Sequence, residues 1–278
     1  MIKTNMKTLL DQEFHFFDHI FRNHQLVSNA DKHRFRLETV TERRKRLSEE
    51  LFIKLDGQVQ AGEFKGLRLN SNPSWGIADQ ATKLLGLYEQ EVINEIYEKS
   101  NLRKKHFIDL GAADGYYAIG ALLNGRFEQA DCFEIEPSGQ DCIRKNAEIN
   151  NILKRLKIYG EANENFFQQL DAQIDWNNVF ILCDVEGAEF EIFSESTLES
   201  IKGSTILIEI HKWIENFWPK YEALLMRAAK NYKINTLSRV TLQLPDFQEL
   251  HSWPDDNRAL ILSEGRPNVM RFLKLTSK

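Results

Sequence analysis

From residue 106 onward the chain alternates short apolar runs with segments whose apolar positions recur every three or four residues. The runs "HFIDL", "DCFEIE", "LKIYG", "NVFILCD" and "STILIEI" read as five successive strands. Helical patterns fall between them: "GYYAIGALL", a segment opened by Pro137 and Ser138 that carries Cys142, Ile143 and Ala147, and another from about residue 187. Strands alternating with helices predict a parallel sheet covered on both faces. Beyond residue 211, "YEALLMRAAK" predicts a helix, and "KINTLSRVTLQL", "ALILS" and "VMRFLKL" predict terminal strands, at least one of them antiparallel. Upstream, Leu84, Leu85, Tyr88, Val92, Ile96 and Tyr97 recur at helical spacing and predict one amphipathic helix over 80–99. It is preceded by the loop-like "FKGLRLNSNPSWGIAD" and by a charged, helix-like stretch over residues 1–60.

Composition narrows the classes. With 42% hydrophobic residues in 278, a large core can be buried, and a net charge of -5 supplies no global field for nucleic acid or an anionic membrane. Residues 31–46, "DKHRFRLETVTERRKR", are locally basic; such a run is most simply a solvated helix face and otherwise a docking patch for an anionic partner. Cys132, Cys142 and Cys183 are odd in number and lack C-x-x-C spacing, which argues against a disulfide framework and a cysteine zinc site. There is no signal-peptide core and no apolar run of membrane-spanning length, so a cytoplasmic location without a membrane span is expected.

Ligands of open parallel sheets lie beyond the carboxyl ends of the strands. Acids stand at those ends: Asp109, Glu136, Glu161 after the third strand, Asp184, and Glu209 with His211. Gly111 and Gly115 mark a turn that brings backbone amides close to a ligand. Ala113 occupies the second glycine position of G-x-G-x-x-G, which disfavours a dinucleotide cofactor, and no G-x-x-x-x-G-K-[ST] loop is present.

The stretch "HFIDLGAADGYYAIG", an acid followed by G-x-x-x-G, resembles the first motif of class I S-adenosylmethionine-dependent methyltransferases. "LCDVEGAEFEIF" (182–193), "ILIEIH" (206–211) and "GLYEQEV" are similar to segments of the FkbM family, and the likeness spans roughly residues 86–211. It implies a Rossmann-like, seven-stranded, mostly parallel methyltransferase sheet in an α/β fold, with residues 101–278 binding the cofactor. Residues 1–100 would then be a mainly helical extension serving as lid or acceptor-binding region.

The resemblance implies S-adenosyl-L-methionine as cofactor, its methionine part at the turn formed by Asp109, Gly111, Ala112, Asp114 and Gly115. Glu136 would accept hydrogen bonds from the ribose diol, since an ionised carboxylate offers only acceptors. Glu161 and Ala162 lie where adenine is expected, and Tyr88 with Glu89 near the amino-acid end. Tyr88 equally fits the apolar stripe of its helix, Asp109 can simply hold the turn, and Asp184 can cap the following helix, where Glu186, Glu189 and Glu191 suit the dipole.

A hydroxyl acceptor profits from a base, and His211 has a suitable unperturbed pKa. Asp184 can orient the acceptor or act as base itself, with Glu209 beside it. Alternatively, Asp184, Glu209 and His211 hold Mg²⁺ or Mn²⁺ against the acceptor oxygen. The expected reaction is O-methylation of a sugar, glycan or small natural product, and a homo-oligomer is compatible with the sequence. Two other readings stand beside it. A nucleic-acid methyltransferase would use residues 31–46, but "DVEG" stands where amino-group methyltransferases carry an N-P-P-Y-like turn, and "NPSW" (72–75) precedes the glycine loop. A catalytically inert binding module would have no need of paired groups at Asp184 and His211.

Overall fold

A computed structural model describes residues 8, 10–15, 38–74, 76–237, 242–244, 246–266 and 270–278. Residues 31–37 of the basic stretch, Trp75, residues 238–241 of the "KINTLSRVTLQL" run and Val269 of "VMRFLKL" lie outside the described residues.

The sheet is built from β1 (His106–Leu110), β2 (Gln129–Phe133), β3 (Leu156–Tyr159), β4 (Val179–Cys183), β5 (Thr205–Glu209), β6 (Tyr232–Leu237) and β7 (Phe272–Ser277). Its order is β3-β2-β1-β4-β5-β7-β6. β1 to β5 pair parallel, and β7 runs antiparallel to both β5 and β6. The order reverses between β1 and β4, the switch point at which a crevice opens beyond the strand ends.

Alternation along the strands explains the layers. Phe107, Phe180 and Leu182 point into one apolar cluster, while Ile108, Leu110, Ile181 and Cys183 point into the other. The first cluster is covered by α1 (Val40–Lys54), α2 (Gln80–Leu84), α3 (Gln90–Ile96), α4 (Tyr116–Leu123) and α5 (Pro137–Ile149). α6 (Glu189–Ile192), α7 (Glu195–Ser200) and α8 (Phe217–Asn231) cover the second. Leu47 and Leu51 of α1 therefore share one core with Phe107 and Phe180 of the sheet. α1 starts at a complete capping box, with Thr39 and Glu42 satisfying each other's backbone amides.

Three expectations need correction. The helix over 80–99 is two short helices, because Gly86 (φ +70°) and Glu89 (φ +40°) leave the right-handed region. A Cβ on Gly86 would stand 2.0 Å from the Ala61 carbonyl oxygen, so this break is a contact between chains of backbone. The "ALILS" run is no strand: Pro254, Asp255 and Asp256 start α9 (Asp255–Leu260), and acids in a first turn favour the helix. The "DCFEIE" strand ends at Phe133, so Glu134 and Glu136 sit in the turn that enters α5. The three cysteines are free and buried.

Gly111 follows β1 with φ +86°, and a Cβ there would lie 1.7 Å from the Asp184 carbonyl oxygen after β4. Gly125 also has positive φ (+76°) but nothing within 4 Å of the added atom. Gly125→Ala should cost about 1 kcal/mol, the left-handed penalty alone, whereas Gly111→Ala should cost more than about 2 kcal/mol because strain and overlap add. Urea denaturation of both variants checks this, and equal losses would contradict it.

Candidate active site

Beyond the carboxyl ends of the strands lies a cavity of about 630 Å³. Its floor is the turn after β1. The amides of Gly111 and Ala112 both donate to the Phe133 carbonyl at 2.9 Å, and the Asp184 amide donates to the Leu110 carbonyl at 2.9 Å. These bonds tie the turn to the ends of β2 and β4. Ala113 is left-handed (φ +51°), and its amide donates to Glu134 Oε2 at 2.8 Å. Glu134 Oε1 accepts from the Glu136 amide at 2.8 Å, so one buried carboxylate holds two successive turns together.

Of the turn residues expected at the cofactor, Gly111 and Asp114 line the cavity, as does Ala113. Asp109, Ala112 and Gly115 are buried and do not. Burial, with Asp184 and Asp114 nearby, pushes the Asp109 carboxyl well above the carboxylate range, and the backbone of Ala118 offsets this in part. Asp114 pairs with buried Lys83 at 2.6 Å and accepts the Tyr116 amide at 3.1 Å. Gly115, left-handed at φ +75°, starts α4. Glu136, Glu161, Ala162 and Tyr88 all line the cavity. Glu136 and Glu161 are exposed, whereas Tyr88 also packs against the core, and burial raises its phenol. Glu134 was not singled out from sequence; its contact with Ala113 is 21 residues away along the chain and leaves no local signal.

Asp184, Glu186, Glu209, His211 and Trp213 also line the cavity. His211 is 1% exposed. Its backbone amide donates to Glu189 Oε1 at 2.9 Å, and Nδ1 lies 3.1 Å from the same oxygen. Nε2 faces Asp184 at 3.2 Å and Glu186 at 3.8 Å. Burial opposes the charged imidazole, but bonds to Asp184 and Glu189 prevail and push its pKa up to about 10. The ordinary histidine pKa expected from sequence is thus displaced by these carboxylates. Glu189 is itself fully buried and accepts the Gly187 amide through Oε2 at 2.9 Å. It is not a solvated acid at a helix start: it fixes the ring of His211.

Arg266, in the loop before β7, was also not singled out. Its guanidinium meets Glu89, Glu209 (2.7 Å) and Glu264 (2.9 Å). It joins the segment entering α3, the end of β5 and the carboxyl-terminal loop, a convergence that only tertiary structure reveals. Glu209 Oε1 is occupied by this pair, while its buried Oε2 stands against the Asp184 carboxylate with no hydrogen-bond donor. Burial first, then Asp184, raises the Glu209 carboxyl to about 10. Asp184, Glu186 and His211 form the compact ligand-type group, all three atoms within 4.8 Å of one another, so Glu186 stands where Glu209 was expected.

The model of the methyltransferase FkbM domain matches residues 164–253. A ribosomal protein L11 methyltransferase from Acinetobacter baylyi is 37% identical over 60 residues, 22% of this chain and 20% of that protein. Among solved structures, the m1A22 tRNA methyltransferase TrmK of B. subtilis is 10% identical, with 69% of this chain and 66% of that one covered and a TM-score of 0.44. A ribosomal protein L11 methylase from Lactobacillus delbrueckii subsp. bulgaricus is 13% identical over 76% and 84%, with a TM-score of 0.43. The chain therefore spans only a fifth of the curated relative and just under two thirds of the first of these structures. No helix among the described residues is long and apolar enough to cross a membrane.

Removing Arg266 leaves carboxylates buried without their cation, so Arg266→Met should cost about 3 kcal/mol or more at pH 7. Arg144→Met, which breaks a solvent-exposed pair with Asp141, should cost less than about 1 kcal/mol; chemical denaturation separates the two.

Proposed function

We propose that this chain, whose residues 164–253 match the methyltransferase FkbM domain, is a class I S-adenosylmethionine-dependent O-methyltransferase. Its acceptor would be a hydroxyl of a sugar, glycan or small natural product. The observation that carries the reading is one cavity at the β1/β4 switch point, with a glycine turn as its floor and Asp184, Glu209 and His211 in its wall. Of the described residues lining it, nine carry carboxylates and three are Lys or Arg. That surplus suits a ligand bearing positive charge.

The residues present fit the cofactor. Gly111 brings backbone rather than a side chain to the cavity wall, Glu136 and Glu161 offer exposed carboxylates after β2 and β3, and Tyr88 with Lys83 also lines the cavity. In this reading Glu136 takes the ribose diol, Glu161 and Ala162 border the adenine, and the turn from Gly111 to Gly115 borders the methionine part. When bound, the cofactor supplies an electrophilic methyl group on a sulfonium. The protein's tasks are to align the acceptor oxygen and keep water out.

Asp184, 38% exposed and held at 3.2 Å by His211, faces the cavity and accepts the proton that the acceptor hydroxyl loses. His211 orients that carboxylate and is itself oriented by Glu189. Glu209 presents its unpaired Oε2 beside them. Residues 1–100 form the acceptor side in this reading, with Arg44, Pro73 and Asp79 lining the cavity from that segment. Location in the cytoplasm follows as part of the same proposal.

Transfer of a tritiated methyl group from S-adenosylmethionine to a panel of sugars, glycans and total RNA tests the reading. Label should enter hydroxylated carbohydrate acceptors and not RNA; label in RNA alone would transfer the assignment to nucleic acid. Asp184→Asn should lower turnover at least about 100-fold while leaving binding of S-adenosylhomocysteine nearly unchanged. Glu136→Ala should do the reverse, weakening that binding about 10-fold through two lost charge-assisted hydrogen bonds.

A further inference from the structure

We infer that Asp184, Glu186 and His211 form a binding site for one divalent cation, Mn²⁺ by preference, at the acceptor end of the cavity. The three donor atoms lie within 4.8 Å of one another, and Nε2 of His211 is 3.2 Å from Asp184 and 3.8 Å from Glu186. With metal-ligand distances of about 2.1 Å, neighbouring ligands of an octahedral ion stand about 3 Å apart. The two spacings at His211 Nε2 exceed that value by less than about 1 Å.

The imidazole is prepared for this role by what lies behind it. Glu189, wholly buried, takes the Nδ1 side at 3.1 Å and fixes the ring through the backbone amide of the same histidine. That leaves Nε2 turned toward two carboxylates. A buried carboxylate that orients a histidine from the rear is the usual support of a metal-ligating imidazole.

One further observation points to a ligand at this place. Glu209, only 1% exposed, lines the same cavity, and its Oε2 is buried beside the Asp184 carboxylate with no hydrogen-bond donor. Two carboxylates that meet in a buried place without a donor call for a cation beside them.

Two carboxylates and one imidazole, with the remaining positions open to the cavity, make an oxygen-rich set that suits six-coordinate Mn²⁺ better than four-coordinate Zn²⁺, or Ca²⁺, which prefers oxygen alone. The cation's use, lowering the pKa of an acceptor hydroxyl, rests on the methyl-transfer reading. Its binding does not.

The test is titration of the purified full-length chain with MnCl₂, following free Mn²⁺ by electron paramagnetic resonance without cofactor or acceptor. One Mn²⁺ per chain should bind. Glu186→Gln and His211→Ala should each weaken it at least 10-fold, and Glu189→Gln should do so by about 10-fold while leaving the ligands in place. Glu191→Gln, on the same short helix but paired with Lys220 at the surface, should leave it within 2-fold. Circular dichroism melts confirm that each variant is folded. Absent binding by the folded wild-type chain, or equal affinity in all four variants, would overturn the site. Separate calorimetry with S-adenosylhomocysteine distinguishes failure of the cation site from failure of the methyltransferase reading.

Discussion

The contact on which the rest of the site depends is the approach of the chain leaving β1 to the chain leaving β4. Gly111 passes so close to the Asp184 carbonyl that no side chain can stand there. In an open parallel sheet the two central strands diverge at their carboxyl ends, and the crevice between them is where a ligand enters. Here one backbone contact sets its width. Because the same segment that carries the Asp184 carbonyl also carries its side chain, the floor of the cavity and its reactive end are fixed relative to each other.

Electrostatics add the second constraint. The cavity holds a surplus of carboxylates, which is costly in a partly buried space unless cations or protons accompany them. Arg266 and Lys83 answer this within the chain, and burial with Asp184 nearby raises the Glu209 carboxyl. The remaining charge is directed inward at Asp184 and Glu186. Arg266 also couples parts far apart in sequence, so the segment before α3 and the loop before β7 hold the acceptor end together.

Much of this was legible in the residues. Short continuous apolar runs marked β1 to β5, and glycines with strand-end acids pointed to the cavity, because both follow from local chemistry. What sequence did not carry was long-range. Gly86 reads as one more residue in an amphipathic helix until Ala61 is seen pressing against it. "ALILS" has the composition of a strand, but Pro254 and two aspartates ahead of it settle the segment as helix. Glu189 looks like one of three acids near a helix start, and only its burial against His211 separates it from Glu191 on the surface. Arg266 and Glu134 act through partners distant along the chain, which no local pattern encodes.

The most direct measurement is a crystal structure with S-adenosylhomocysteine bound. The account predicts the ligand in the cavity beyond β1 and β4, its amino-acid end against the turn from Gly111 to Gly115, its ribose hydroxyls at Glu136 and its sulfur turned toward Asp184 and His211. Ligand bound elsewhere on the chain, or a sulfur facing away from Asp184 and His211, would contradict it.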